Sequence, residues 1–176
     1  GLHGAFLLAR GRPEGFSFTS LSPEGPVRSF WAMALCLPAF LGLRLLGLGT
    51  GLSDDVAGKA AAAELIGYII TWTGFALVSH RAASRIGRAE EWPRFVAAWN
   101  WCNVVQYFVL VVLLLSPPGL PGILLGLAAL GYAMWLEWFV ARASLRLGGA
   151  QAAGVVGLDL ALSLLVSGLV EQVSRG

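Results

Sequence analysis

Charge is the scarcest property of this chain. Aspartate, glutamate, lysine and arginine make up 12% of its 176 residues, about half the share that a soluble domain carries on its surface. A fully water-facing exterior is thereby excluded. Lysine is almost missing: of the 12 basic residues only Lys59 is a lysine, and the rest are arginines. The two cysteines, Cys36 and Cys102, both fall in apolar runs, which argues against a disulfide framework. With two distant histidines, His3 and His80, they provide no metal-ligand spacing, so neither a metal nor a cofactor is expected. No separate polar domain is available to carry a nucleic-acid groove. HExxH, P-loop and dinucleotide fingerprints are absent, and His80 is expected at the cytoplasmic edge whereas Ser167 is expected near the outside. An enzyme is therefore not expected. The first residues, a short apolar run followed by arginines, reverse the order of a signal peptide.

What the chain has in abundance is apolar sequence: 57% of residues are hydrophobic and the mean hydropathy is +0.73. A spanning helix needs about 20 mostly apolar residues. Five runs qualify, at Phe30 to Leu48, Ala61 to Ser79, Pro93 to Leu115, Gly119 to Ala141 and Gln151 to Val170. The fold class expected is all-α: a polytopic membrane bundle of five helices, with residues 1–29 as an interfacial segment and 30–176 as the transmembrane domain. Positive charge prefers the cytoplasm. Arg10, Arg12 and Arg28, then Arg81, Arg85, Arg88 and Arg94, then Arg142 and Arg146 fall on one side of the spans. Lys59, Arg175 and Arg44 belong to the other, which predicts an N-inside, C-outside topology. Arginine over lysine, with abundant alanine, glycine and leucine, suggests a GC-rich bacterial genome and hence an inner-membrane protein.

Local punctuation agrees with these spans. Ser53 is a candidate N-cap for the second helix, with Asp54 and Asp55 at its positive end; magnesium binding by the paired aspartates is the weaker alternative. "SPPGLPG" reads as a tight turn, and Pro38 is placed to kink the first span. The first 29 residues carry "PEG" twice, with the apolar residues Phe6, Leu7, Leu8, Phe16, Phe18 and Leu21 accompanied by Arg10, Arg12 and Arg28. That composition suits a segment lying along the cytoplasmic interface.

Five polar residues stand at similar depths in the cytoplasmic half: Glu137 in the fourth span, Asp159 in the fifth, and Asn100, Asn103 and Gln106 in the third. Ionisable groups in a membrane are costly and usually face the bundle interior. The cluster reads either as a polar clamp that fixes helix register or as a proton or cation path, and Glu137 has Arg142 as an alternative partner. Arg44 and Glu64, on consecutive antiparallel helices, are placed to form an ion pair. Arg81, Arg85 and Arg88, spaced i, i+4, i+7, would share a helical face towards lipid or a partner. Small residues at Gly122 and Gly126, at Ala153, Gly157 and Ala161, and at Ala63, Gly67 and Thr71 suit close helix packing within the bundle or between subunits. Trp31, Trp92, Trp99, Trp101, Trp135 and Trp138 cluster at the cytoplasmic boundary, as interfacial anchors do.

Five spans, a cytoplasmic amino terminus and the approach "LSPEGPVRSFW" together resemble the Yip1 family. Gly25 and Pro26 match its glycine-proline element, and Gly67 and Tyr68 its glycine-tyrosine element, while the aspartate-leucine-tyrosine part is missing. The resemblance implies a lipid-organising or trafficking-type membrane protein. The residues themselves point first to a non-catalytic accessory or assembly subunit of a larger membrane complex, with membrane lipids and other integral subunits as partners. A small proton- or ion-coupled transporter or channel using Glu137 and Asp159 is the alternative.

Overall fold

A computed structural model describes residues 1–19, 24–47 and 54–175, with the side chains at 45–57 and 174–175 left aside. Among these the chain forms seven α-helices: α1 (Leu2–Leu8), α2 (Glu24–Ser29), α3 (Trp31–Gly47), α4 (Asp54–Arg85), α5 (Trp92–Leu113), α6 (Leu120–Ser144) and α7 (Gly149–Arg175). A 3₁₀ segment covers Pro13–Phe18. No strand occurs among the described residues. Five stretches are long and apolar enough to cross a membrane: Glu24–Arg44, Gly58–Arg85, Trp92–Leu113, Leu120–Ser144 and Gly149–Val173. The capping expected of Ser53, Asp54 and Asp55 lies outside the described side chains, as does Arg175.

The five spans form a ring. α4 packs along α7, α7 on α6, α6 on α5, and α5 on α3. α3 closes the ring against α4, where the Tyr68 hydroxyl donates to the Met33 carbonyl at 2.6 Å and the Phe40 and Tyr68 rings stack at 4.5 Å. Close packing is uneven along the bundle. Phe75, Phe95, Leu136, Val140 and Ala152 are almost wholly buried, and all lie towards the arginine-rich end. Outward, Leu65, Ile69, Leu77, Phe108, Leu124, Leu127, Leu164 and Leu169 are exposed. That continuous apolar girdle suits lipid, where dispersion and packing rather than water exclusion hold helices together.

Three helix ends close in the same way. α1, α4 and α6 each finish in a residue of left-handed conformation: Gly11 (φ 71°), Gly87 (φ 71°) and Arg146 (φ 54°). Each is followed by a backbone bond that reaches back over the last turn, from Arg12 to Leu7, Arg88 to Ala83 and Leu147 to Arg142. This is the Schellman arrangement, which satisfies terminal carbonyls and favours glycine. α4 thus runs six residues past the expected Ser79 and stops at Arg85. Arg88 stands beyond the cap and faces Glu91 at 3.5 Å, so it does not share the helical face of Arg81 and Arg85.

The amino-terminal segment docks beside α5 and α6. Gly4 and Gly15 meet so closely that a Cβ on either would lie within 2.7 Å of the other's carbonyl oxygen. Ala5 and Leu8 face inward, and Tyr132 of α6 donates its hydroxyl to the Ala9 carbonyl at 2.8 Å. Leu2, Phe6 and Phe18 remain exposed, with the Arg10 guanidinium 5.1 Å over the Phe6 ring. Apolar side chains beside arginines are the composition of an interfacial segment.

Candidate functional site

Four of the five polar residues singled out in the third, fourth and fifth spans come together inside the ring. α6 presents Glu137, α7 presents Asp159, and α5 presents Asn103 and Gln106, all lining one cavity of about 230 Å³. Gln106 Nε2 lies 3.4 Å from Glu137 Oε1 and 3.4 Å from the Ala133 carbonyl. Asn103 donates to the Trp99 carbonyl at 3.0 Å. Glu137 and Asp159 are the two carboxyl groups in the wall of this cavity. Asp159 is only 9% exposed, and its Oδ1 has no hydrogen-bond partner among the described residues. No basic side chain described forms an ion pair with either carboxyl group. Arg142, the partner considered for Glu137, instead places its guanidinium 5.0 Å over the Trp138 ring.

Asn100 does not join the cluster. It is fully buried on the other side of α5 and donates to Ser29 Oγ at 2.7 Å, which fixes the short α2 against α5. Residues three apart on an α-helix are rotated by about 60° from coincidence, so Asn100 and Gln106 differ by about 120°. One helix face cannot hold both.

A second cavity of about 180 Å³ continues from the first, sharing Thr71, Trp72, Tyr107 and Ser163 with it. Arg44 and Glu64 stand at its far end, with Arg44 Nε 3.2 Å from Glu64 Oε2. The two cavities adjoin along these four side chains and together line a polar crevice. It runs from the carboxyl pair along α7, past Ser163 and Ser167, away from the buried Phe75, Phe95, Leu136 and Val140. Much of this lining is not among the residues expected from the sequence. Its signal was present as Asp159, Ser163 and Ser167, a polar stripe at every fourth position of α7.

The small-residue sets have separate fates. Ala63 and Gly67 pack on α7, and a Cβ at Gly67 would stand 2.5 Å from Val170. Gly122 accommodates the Pro117 carbonyl of the preceding turn, whereas Gly126 has nothing within 4 Å of a Cβ. Ala153, Gly157 and Ala161 point out of the bundle and are exposed. Arg81 and Arg85 are likewise exposed. The tryptophans divide too: Trp31 is 72% exposed, whereas Trp99 is buried between Phe75 and Trp72, with ring centroids at 4.4 and 5.5 Å. Gly25 and Pro26, which carried the family resemblance, form the first turn of α2, and Pro26 is buried there.

Among the described residues no group of histidine, cysteine and carboxylate side chains is placed to hold a metal ion. No protein-family model, curated protein or solved structure matches the chain. The fold and the apolar girdle define the class: a multi-pass helical membrane protein with a polar crevice inside its bundle.

Proposed function

We propose that the chain is a small transporter of a monovalent cation, the proton being the simplest, with Glu137 and Asp159 as its ion site. The observation that carries this reading is Asp159, whose Oδ1 is buried and unpartnered, in the lining of a cavity beside a second carboxyl group. A carboxylate stripped of water and of any basic partner is strongly destabilised unless a cation compensates it. Two adjacent carboxyls sharpen that requirement, because each repels the other's negative charge. The crevice supplies the approach: Thr71, Ser163 and Ser167 offer hydroxyl oxygens between the Arg44–Glu64 end and the carboxyl pair. A polar clamp needs no cavity at its centre, and that favours transport over a purely structural cluster.

The test is proton flux into proteoliposomes containing a trapped pH-sensitive dye. Asp159→Asn keeps the size and polarity of the side chain but removes its charge. Flux at least about tenfold slower than wild type is expected, which corresponds to about 1.4 kcal/mol in the barrier. Equal flux would overturn the assignment.

An accessory-subunit role draws support from a different observation, the exposed small-residue face of Ala153, Gly157 and Ala161, which suits close approach by another helix. Native mass spectrometry after gentle extraction from the source membrane tests it. Near-stoichiometric co-purification with a larger complex is the expected result of that role, and a lone monomer or self-oligomer would sink it.

A further inference from the structure

A third cavity, about 220 Å³ and mostly apolar, lies on the lipid side between α5 and α6. Val109, Leu110, Gly126, Ala129 and Tyr132 line it, with Gln106 at its inner wall. A side chain at Gly126 would meet nothing within 4 Å, so the groove is open along that wall. From Gly126 to Ala133 it extends about 10 Å along α6, by the rise per residue. Its lower end is closed where the Tyr132 hydroxyl bonds Ala9 of the amino-terminal segment.

Gln106 and Leu110 line both this groove and the Glu137–Asp159 cavity. They are the partition between lipid and the carboxyl pair. The partition is weakly held, since both hydrogen bonds of Gln106 are 3.4 Å long, at the far end of the useful range. Behind it, the carboxyl groups are accompanied by the rings of Trp72, Trp99 and Tyr107. Aromatic faces combined with carboxylates recognise ammonium groups.

We infer that the α5–α6 groove and the carboxyl cavity are two halves of one site, which takes a single-chain amphiphilic ammonium ion from the bilayer. The alkyl chain would lie in the groove and the ammonium group would pass Gln106 to reach Glu137 and Asp159. This rests on the ion-site reading of those two residues. Charge selects the class of ligand: the carboxyl pair repels the phosphate of a phospholipid and gives a neutral alcohol no advantage.

The experiment uses the full chain in phosphatidylcholine nanodiscs and a dodecylammonium probe with a diazirine on its alkyl chain, compared with the corresponding dodecanol probe at equal mole fraction in the bilayer. After photolysis, labelled residues are located by mass spectrometry. Labelling by the amine is expected to concentrate on Val109, Leu110 and Ala129, and to fall to the level of the alcohol in Asp159→Asn. Gly126→Leu fills the groove from its open side and should abolish the concentrated labelling without altering Asp159. Even labelling of all lipid-facing residues by the amine, with Asp159-dependent proton flux intact when the same purified protein is placed in proteoliposomes, overturns this inference and leaves the ion site standing. Loss of Asp159 dependence in both labelling and flux sinks the two together. Groove labelling that added phosphatidylethanolamine displaces, and excess unlabelled dodecylammonium does not, assigns the groove to a lipid and also overturns the inference.

Discussion

Gly67 sets how closely α4 can approach α7, and replacing it tests whether close packing holds this bundle together. A Cβ added there would stand 2.5 Å from Val170 Cγ2 and 3.4 Å from Val166 Cγ1, against an optimal carbon separation of about 3.5–4.0 Å. Relief requires α7 to retreat by about 1 Å or Val170 to leave its rotamer, and a β-branched side chain in a helix has one strong preference. Overpacking of this kind costs roughly 1–3 kcal/mol. Replacing glycine within a helix returns up to about 1 kcal/mol, and less for valine than for alanine. Gly67→Ala therefore lies near balance, whereas Gly67→Val adds two further methyl groups at the contact and should lose about 2 kcal/mol. Reversible unfolding in mixed micelles, followed by tryptophan fluorescence, measures the loss. A double-mutant cycle with Val170→Ala should show a coupling of at least about 1 kcal/mol, because the second change removes the clash created by the first. A Gly67→Val protein as stable as wild type, or a coupling near zero, would refute the reasoning.

Other substitutions probe different parts of the frame. Tyr68→Phe removes the bond from α4 to the Met33 carbonyl and should cost about 1 kcal/mol in the same assay. Asn100→Ala breaks the buried bond to Ser29 and leaves a void, for an expected loss of about 2 kcal/mol; a change below a few tenths would mean that α2 is held by other contacts. Arg146→Gly places glycine where the backbone is left-handed and should raise stability by about 1 kcal/mol, visible as a higher unfolding midpoint. Glu64→Gln should shift stability by less than about 1 kcal/mol, since Arg44 is half exposed and such pairs contribute little; a larger loss would identify the pair as a structural lock on the crevice.

The spans were legible because composition alone carries them: a run of about 20 apolar residues has few alternatives to a membrane helix. The convergence of Glu137, Asp159, Asn103 and Gln106 was legible from depth, which needs only the rise per residue. Direction around the helix was harder. Asn100 is one turn from Asn103, yet it faces Ser29 because a three-residue interval drifts around the axis. Arg88 left the expected face because Gly87 ends α4, and the glycine was the readable sign. The crevice walls were not legible at all from single spans. Trp99 looked like another interfacial anchor, and only the ring order of the helices turns it towards Trp72 and Phe75. Helix adjacency is a property of tertiary packing, and one sequence does not encode it in any local pattern.

The bond from Tyr132 to Ala9 joins residues 123 positions apart, and that separation has a consequence for biosynthesis. The amino-terminal segment is made before the helices it docks on, yet its docking surface on α6 exists only after the fourth span has been inserted. Until then the segment must wait at the membrane surface, where Phe6 and Phe18 in the headgroup region and Arg10 and Arg12 beside them can hold it. Its docking is thus a late event in assembly. The carbonyl of Ala9 then closes the lower end of the α5–α6 groove, so that this part of the bundle is completed by residues translated before the helices that line it.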